Sequence, residues 1–287
     1  MYKARLENSR GASITLTGRE AEYQIIKIIG LNPPSAHLNM SSVAGLDGSM
    51  YNSSRLNNRN VVITVRINGS VEDNRQRLYT FCPTKEKVRF YYKNQNRDVY
   101  IDGYVESVEC DLFTNSEKAQ ISIICPQPYF MDTEETQVDG SSVTALFTFP
   151  FSIEEDDPIL ISEYVVDNTI DLYNDAESEV GCLIDIDVNA DISTILIQNT
   201  GTGESFKLTG TFLSGDHITI NTVKGQKAVT LTREGVKSNI FSTMQKGSTF
   251  FQLAAGDNFF SYVVDGNVSN NADIDLWFTF FKMYRGV

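Results

Sequence analysis

Histidine is nearly absent: only His37 and His217 occur in 287 residues, and there is one tryptophan. With so few imidazoles, a histidine-based catalytic or metal centre is hard to assemble. The four cysteines, Cys82, Cys110, Cys125 and Cys182, stand far apart with no CxxC spacing. Three fall among apolar residues, the pattern of buried free thiols rather than of disulfides or metal ligands. No apolar run approaches the ~18 residues that a membrane helix needs. The opening residues lack the apolar core of a secretory signal, so the chain is expected to stay in the cytoplasm where it is made, release by lysis aside. There is no GxSxG, no phosphate loop and no GxGxxG, so no catalytic, metal or cofactor-binding residue is nominated and no cofactor is expected. Asp185, Asp187, Asn189 and Asp191 open like a calcium loop. Ala190 then stands where the glycine of the sharp turn belongs and Leu196 where the bidentate glutamate belongs, so these acids read as the wet face of a strand and its turn.

Basic residues are scarce in one half only. Residues 1–137 hold 16 Lys and Arg against 16 Asp and Glu, whereas residues 138–287 hold 8 against 21. The whole net charge of −13 therefore falls in the second half. Such a surface repels phosphates and is ill suited to gripping nucleic acid. The charge shift, together with a length above the usual limit for one core, predicts two domains, 1–137 and 138–287.

What is present is mostly strand. Lys87–Cys125 reads as a meander of Val, Tyr, Phe and Ile broken by Lys93–Arg97, Asp102-Gly103 and Thr114–Ser116. Pro126-Gln127-Pro128 closes it, because neither proline can donate to a ladder. Upstream, Ser13–Thr17, Glu22–Ile29 and Val61–Ile67 read as strands. Val71–Phe81 reads as the one substantial helix, capped by Ser70 and stopped before Pro83. Between them, residues 30–60 read as a long irregular stretch rich in Ser, Asn, Gly and Pro, yet holding apolar anchors at Leu31, Leu38, Met40, Leu46, Met50 and Tyr51. A loop of this length tends to be functional, and these six residues suggest an arm that orders against a neighbouring subunit.

After residue 138 many short strands follow at sandwich spacing. They include Val180–Val188, the hairpin around Lys224-Gly225-Gln226, Phe250–Leu253, Phe259–Val264 and Ile274–Tyr284. Glu154–Asp157 is an acid run before Pro158 and reads as a solvated loop. The expected fold class is mainly β. It comprises an N-terminal β-sandwich or split barrel with one helix, and a C-terminal galectin-like (jelly-roll) β-sandwich. Aromatic content would permit stacking of sugars in the second domain, so a carbohydrate-binding adhesion module is the rival reading.

A series of short pieces gives this frame a family. Leu46-Asp47-Gly48 precedes the Arg59–Ile67 strand, the Asn94–Arg97 hairpin is followed by Gly103, and Cys125-Pro-Gln-Pro-Tyr-Phe130 marks the seam. Phe147-x-Phe-Pro-Phe151, Leu213-x-Gly-Asp216, Leu253-x-x-Gly-Asp-Asn258 and the closing Tyr284-Arg-Gly-Val287 complete the series. In order and spacing the chain resembles the distal tail protein family of long-tailed phages and prophages of Gram-positive hosts. It departs at Gln127, where an acid is frequent, and at Phe250-Phe251, where tryptophan is. The resemblance implies a virion structural protein of the tail tip, or baseplate, made in the host bacterial cytoplasm. Six copies would form a ring through the N-terminal domain. Its partners would be the tail tube protein, the tail-associated fibre or lysin protein and a receptor-binding protein. DNA would pass through unbound, with no membrane and no enzymatic activity.

Overall fold

Arg59, Val61, Ile63, Val65 and Ile67 are all buried on one face of a single strand, as their alternation requires. Strands of this kind make up most of the computed structural model of the chain, with one α-helix among the described residues. The structure describes residues 2–287 apart from 19–20, 43, 46, 115, 141–142, 146–161, 165–168 and 268–271. The chain builds two compact units, Met1–Glu134 with Met283–Val287, and Glu135–Lys282. Its last five residues thus return to the first unit.

The first unit contains β1 (Lys3–Asn8), β2 (Ser13–Thr15), β3 (Tyr23–Ile29), β4 (Ala36–Ser41), β5 (Met50–Leu56), β6 (Arg59–Ile67), α1 (Val71–Phe81), β7 (Lys87–Lys93), β8 (Asp98–Cys110), β9 (Lys118–Cys125) and the start of β10 (Phe130–Asp139). Antiparallel pairing runs β3–β6–β9–β8–β7–β1–β2. The thirteen-residue β8 serves three partners: its first half pairs with β7 on one edge and, at Val99 and Tyr100, with β10 on the other, its second half pairs with β9, and the register shifts between Val105 and Ser107. Such a bulge bends a strand and lets one sheet curl on itself. Val61, Ile63 and Val65 are fully buried beside Phe90, Ile121 and Ile123. Each contributes roughly 2 kcal/mol by burial.

Helix α1 lays Leu78 and Phe81 on this core. Glu72 and Asp73 in its first turn suit the positive end of the dipole. Ser70 does not cap it as the sequence suggests. Its hydroxyl donates instead to Asp73 Oδ2 at 2.5 Å, which draws it away from the backbone.

The second unit contains β11 (Val143–Ala145) paired with β12 (Ser162–Tyr164), then β13 (Ile170–Asn174), β14 (Leu183–Val188), β15 (Ile192–Asn199), β16 (Ser205–Phe212), β17 (His217–Asn221), β18 (Ala228–Arg233), β19 (Val236–Asn239), β20 (Gly256–Val264) and β21 (Ile274–Tyr284). Two antiparallel sheets form, β19–β18–β17–β14–β21 and β13–β20–β15–β16. Their inner faces meet through Phe260 and Phe278, whose ring centroids lie 5.0 Å apart, with Phe251 4.9 Å from Phe260. This is a β-sandwich of the expected class. The expected strand at Phe250–Leu253 is reduced to one bridge between Val180 and Leu253. Gln252 Nε2 instead donates to the Thr222 carbonyl at 2.8 Å, and Phe251 and Leu253 are buried without a ladder. The Phe147–Phe151 and Glu154–Asp157 segments lie outside the described residues.

Candidate functional site

The stretch at residues 30–60 is not irregular. Among the described residues β4 and β5 pair only with each other, as a two-stranded antiparallel ribbon separate from the other sheets. Its neck is closed where Asn57 donates from its backbone N to Ser35 O at 2.9 Å and from Nδ2 to Ser35 Oγ at 3.1 Å. Register places Ala36 opposite Leu56, Leu38 opposite Ser54 and Met40 opposite Tyr51, with a shift between Asn39 and Met40. Residues directly opposite share a face, as do residues two apart. The shift leaves Asn52 without an opposite number, so Tyr51 joins Ala36, Leu38, Met40 and Leu56 on one side. His37, Asn39, Ser41, Ser53 and Arg55 take the other side, with Met50. The Tyr51 hydroxyl donates to Ser54 Oγ at 2.8 Å and props the ring along the apolar side.

That apolar side is open. Leu38 is 49% exposed, Met40 51% and Tyr51 61%, while Met50 on the other side is 60% exposed. Of the remaining predicted arm residues, Leu46 lies outside the described residues. Leu31 is not on the ribbon at all: it is half-buried against the first unit's core, at the ribbon's base.

The base is held by Arg59, which is 3% exposed. Its Nε donates to the Pro128 carbonyl at 2.8 Å, and Nη1 donates to the carbonyls of Asn32, at 2.7 Å, and Gly30. Nη2 donates to the Arg285 carbonyl at 2.5 Å, and the guanidinium lies 4.5 Å from the centre of the Phe130 ring. No carboxylate among the described residues pairs with it. Carbonyl dipoles and an aromatic face therefore stabilise the cation. Burial pulls its pKa below the ordinary arginine value.

Two glycines make the convergence possible. Gly30 has φ +93°, and a Cβ there would sit 2.2 Å from the Asn60 carbonyl oxygen. A Cβ on Gly286 would meet Pro33 Cδ at 3.0 Å. Nearby, the Val287 N donates to the Leu31 carbonyl at 3.1 Å. Arg97, at the end of an Asx turn made by Asn94, donates to the Gly286 carbonyl and covers the Tyr284 ring at 4.1 Å. The Asn94–Arg97 hairpin, the Pro128–Phe130 seam and the Tyr284–Val287 tail, scattered in sequence, thus meet at one anchor under the ribbon.

The acids of the calcium-like run and their neighbours bond to one another. Asp185 Oδ1 accepts from Thr219 Oγ1 at 2.8 Å, and Asp187 Oδ1 lies 2.7 Å from His217 Nδ1. Asp275 accepts from Asn189 Nδ2 at 2.9 Å, and Asp191 from the Ser214 N at 3.0 Å. The cysteines are free thiols; burial pushes Cys82, Cys125 and Cys182 up to about 12.

Comparison with known proteins accords with this architecture. Residues 9–125 match the family described as phage tail protein RIFT-related domain, and residues 175–280 the siphovirus-type tail component, C-terminal domain. The crystal structure of the Dit protein of phage SPP1, presented as a paradigm of the hub adsorption apparatus in phages that infect Gram-positive hosts, shares the fold. Its TM-score is 0.72 at 12% identity, over 99% of each chain. A chain of the phage P2 baseplate in its activated conformation with calcium matches at TM-score 0.56 and 13% identity, over 100% of each chain. The same baseplate with strontium gives the same values. No curated protein sequence matches the chain. With each unit matched in order, this chain belongs to the siphovirus-type distal tail protein family and is a phage tail component.

Proposed function

We propose that the chain is the hub of a phage tail tip: a homohexameric ring between the tail tube and the fibre or lysin protein, with receptor-binding proteins anchored at its edge. DNA passes through the hole without being held. The observation that carries this reading is the ribbon. An isolated two-stranded hairpin is marginal in water, and this one has Leu38, Met40 and Tyr51 in solvent on one side. A neighbouring subunit that covers this side supplies the missing third layer. Contact between two different patches generates a ring when the rotation closes. Each interface then needs about 1,000 Å² or more in total. The role is structural: the buried cation at Arg59 is spent on carbonyls and the strand acids on neighbouring side chains, which leaves no poised acid, base or nucleophile there.

The rival reading, saccharide binding by the sandwich, would draw on Trp277, whose ring lies 6.1 Å from that of His217. The polar groups beside it, Asp185, Asp187, His217 and Thr219, already bond one another. That pairing favours the hub. Light scattering of the purified protein, alone and with its tube and fibre partners, tests the choice. A hub gives a species of about six times 32.1 kDa that ignores cell-wall polysaccharide. A monomer that persists with both partners and is retained on polysaccharide contradicts it.

A further inference from the structure

We infer that the apolar side of the ribbon seats on the outer edge of β3 in a second copy of this chain, along Ile26 to Ile29 and the Tyr2 side chain near Ile26. This rests on the ring reading above and names the surface that the ring contact uses. Among the described residues β6 is the only strand that pairs with β3; on its outer edge the Ile25 N donates to the Leu16 carbonyl at 3.2 Å, and the stretch from Ile26 to Ile29 has no strand beside it. Natural edges are blunted by charge or by cover. Here Tyr2 is 53% exposed, Ile26 46% and Ile29 49%, with only Lys27 as a charged neighbour on the strand. The register shift between Ile25 and Lys27 leaves Ile26 with no residue opposite. A bulge at that point re-aims the side chain away from the ladder. Ile26 lines a shallow cleft of about 190 Å³ together with Tyr2, Ile25, Lys27, Ile28, Leu31 and Tyr92.

Ribbon and edge match in kind and size. Both present apolar side chains, and both keep unpaired strand edges. The six-residue β4 spans about 20 Å and the seven-residue β3 about 23 Å. Both are open within one and the same chain, so the ribbon does not cover its own edge. The neck explains why: only residues 30–35 separate β3 from β4, and Arg59 pins the carbonyls of Gly30 and Asn32. The cover has to come from another copy. One ribbon and one edge per chain are two unlike patches, which is the arrangement that closes rings rather than symmetric pairs.

Two variants and their mixture test this. Ile26→Asp and Met40→Asp each place a charge in the contact, and each should weaken assembly at least about thirtyfold, an unpaired buried charge being costly. Mixed in equal amounts they retain one intact edge and one intact ribbon between them. A two-subunit species that neither variant forms alone is the expected result, read by native mass spectrometry. Ile29→Asp serves as a second edge variant, with an unchanged circular dichroism spectrum as the folding check for all three. If both edge variants assemble as the wild type does while Met40→Asp does not, the ribbon docks elsewhere and this inference falls while the ring stands. A mixture that stays monomeric also overturns it. A wild type that stays monomeric with its tube and fibre partners removes the ring reading itself, and the docking surface with it.

Discussion

Arg59 Nη2 donates to the carbonyl oxygen of Arg285 at 2.5 Å, tying the first residue of β6 to a backbone group 226 positions later. The same guanidinium holds the ribbon's base through Gly30 and Asn32. Loss of this side chain leaves buried carbonyls unpaired. Arg59→Met is expected to cost about 3 kcal/mol of the first unit's stability. The midpoint of urea unfolding measures it, and a loss below about 1 kcal/mol would show that water replaces the guanidinium.

The tail is the other half of this anchor. Removal of residues 285–287 deletes the Arg285 carbonyl, one of four that accept from Arg59, the Gly286 carbonyl that accepts from Arg97, and the Val287 donor to Leu31. Hydrogen exchange should then rise in residues 30–35 and 126–130 while the strands of the second unit keep their protection. Unchanged exchange at residues 30–35 would mean that Arg59 and the Asn57–Ser35 bonds hold the neck without the tail.

Gly30→Ala should be disruptive. A positive φ and a Cβ 2.2 Å from the Asn60 carbonyl force the backbone to move. Destabilisation above about 1 kcal/mol is expected. At Gly48, where φ is also positive but a Cβ meets nothing, the same substitution carries only the conformational cost. Denaturant midpoints of the two variants compare them directly, and equal effects would contradict the crowding at Gly30.

Acid sensitivity of the second unit should reside partly in Asp216. Both of its oxygens accept from Arg233, Oδ1 from Nε at 2.7 Å and Oδ2 from Nη2 at 2.5 Å, and Oδ2 also accepts from the Leu213 N at 2.8 Å. The Arg233 bonds hold its carboxyl below the usual carboxylate range. A depressed folded pKa contributes stability that is present above the unfolded value, about 3.9, and lost as pH falls through the folded value. The thermal midpoint of Asp216→Asn should therefore lie below that of the wild type by a steady margin from pH 7 to about 5, and the margin should shrink below about pH 4. A margin independent of pH down to acid would remove the charge from the account.

Cys82, Cys125 and Cys182 should resist alkylation in the native protein at pH 8, because burial pushes each thiol up to about 12. All four cysteines should react in urea. Mass spectrometry after iodoacetamide treatment reads the difference, and native labelling of Cys125 at the unfolded rate would contradict the burial.

Most strands were legible because alternation is local. Val61, Ile63, Val65 and Ile67 announce a buried face, and the same parity puts Arg59 on that face, a signal that an arginine is stored where only apolar residues belong. What it bonds was not legible. Its partners lie in the Gly30–Asn32 turn, the seam and the tail, and contacts across 226 residues leave no periodic trace. The ribbon was half legible: Leu38, Met40, Met50 and Tyr51 stood out as apolar anchors. Ala36, Leu38 and Met40 do alternate, but Ser, Asn, Gly and Pro around them mask the strands, and the bulge that brings Tyr51 to their side has no local sequence mark.

The central claim is that this ribbon holds copies of the chain together. Because Ser35 and Asn57 meet at its neck, residues 36–56 can be replaced by a two-glycine turn without disturbing the strands beneath. Native mass spectrometry of the two proteins, each with the tube and fibre partners, is the direct measurement. The account predicts six subunits for the complete chain and one for the shortened chain; six subunits in both would contradict it.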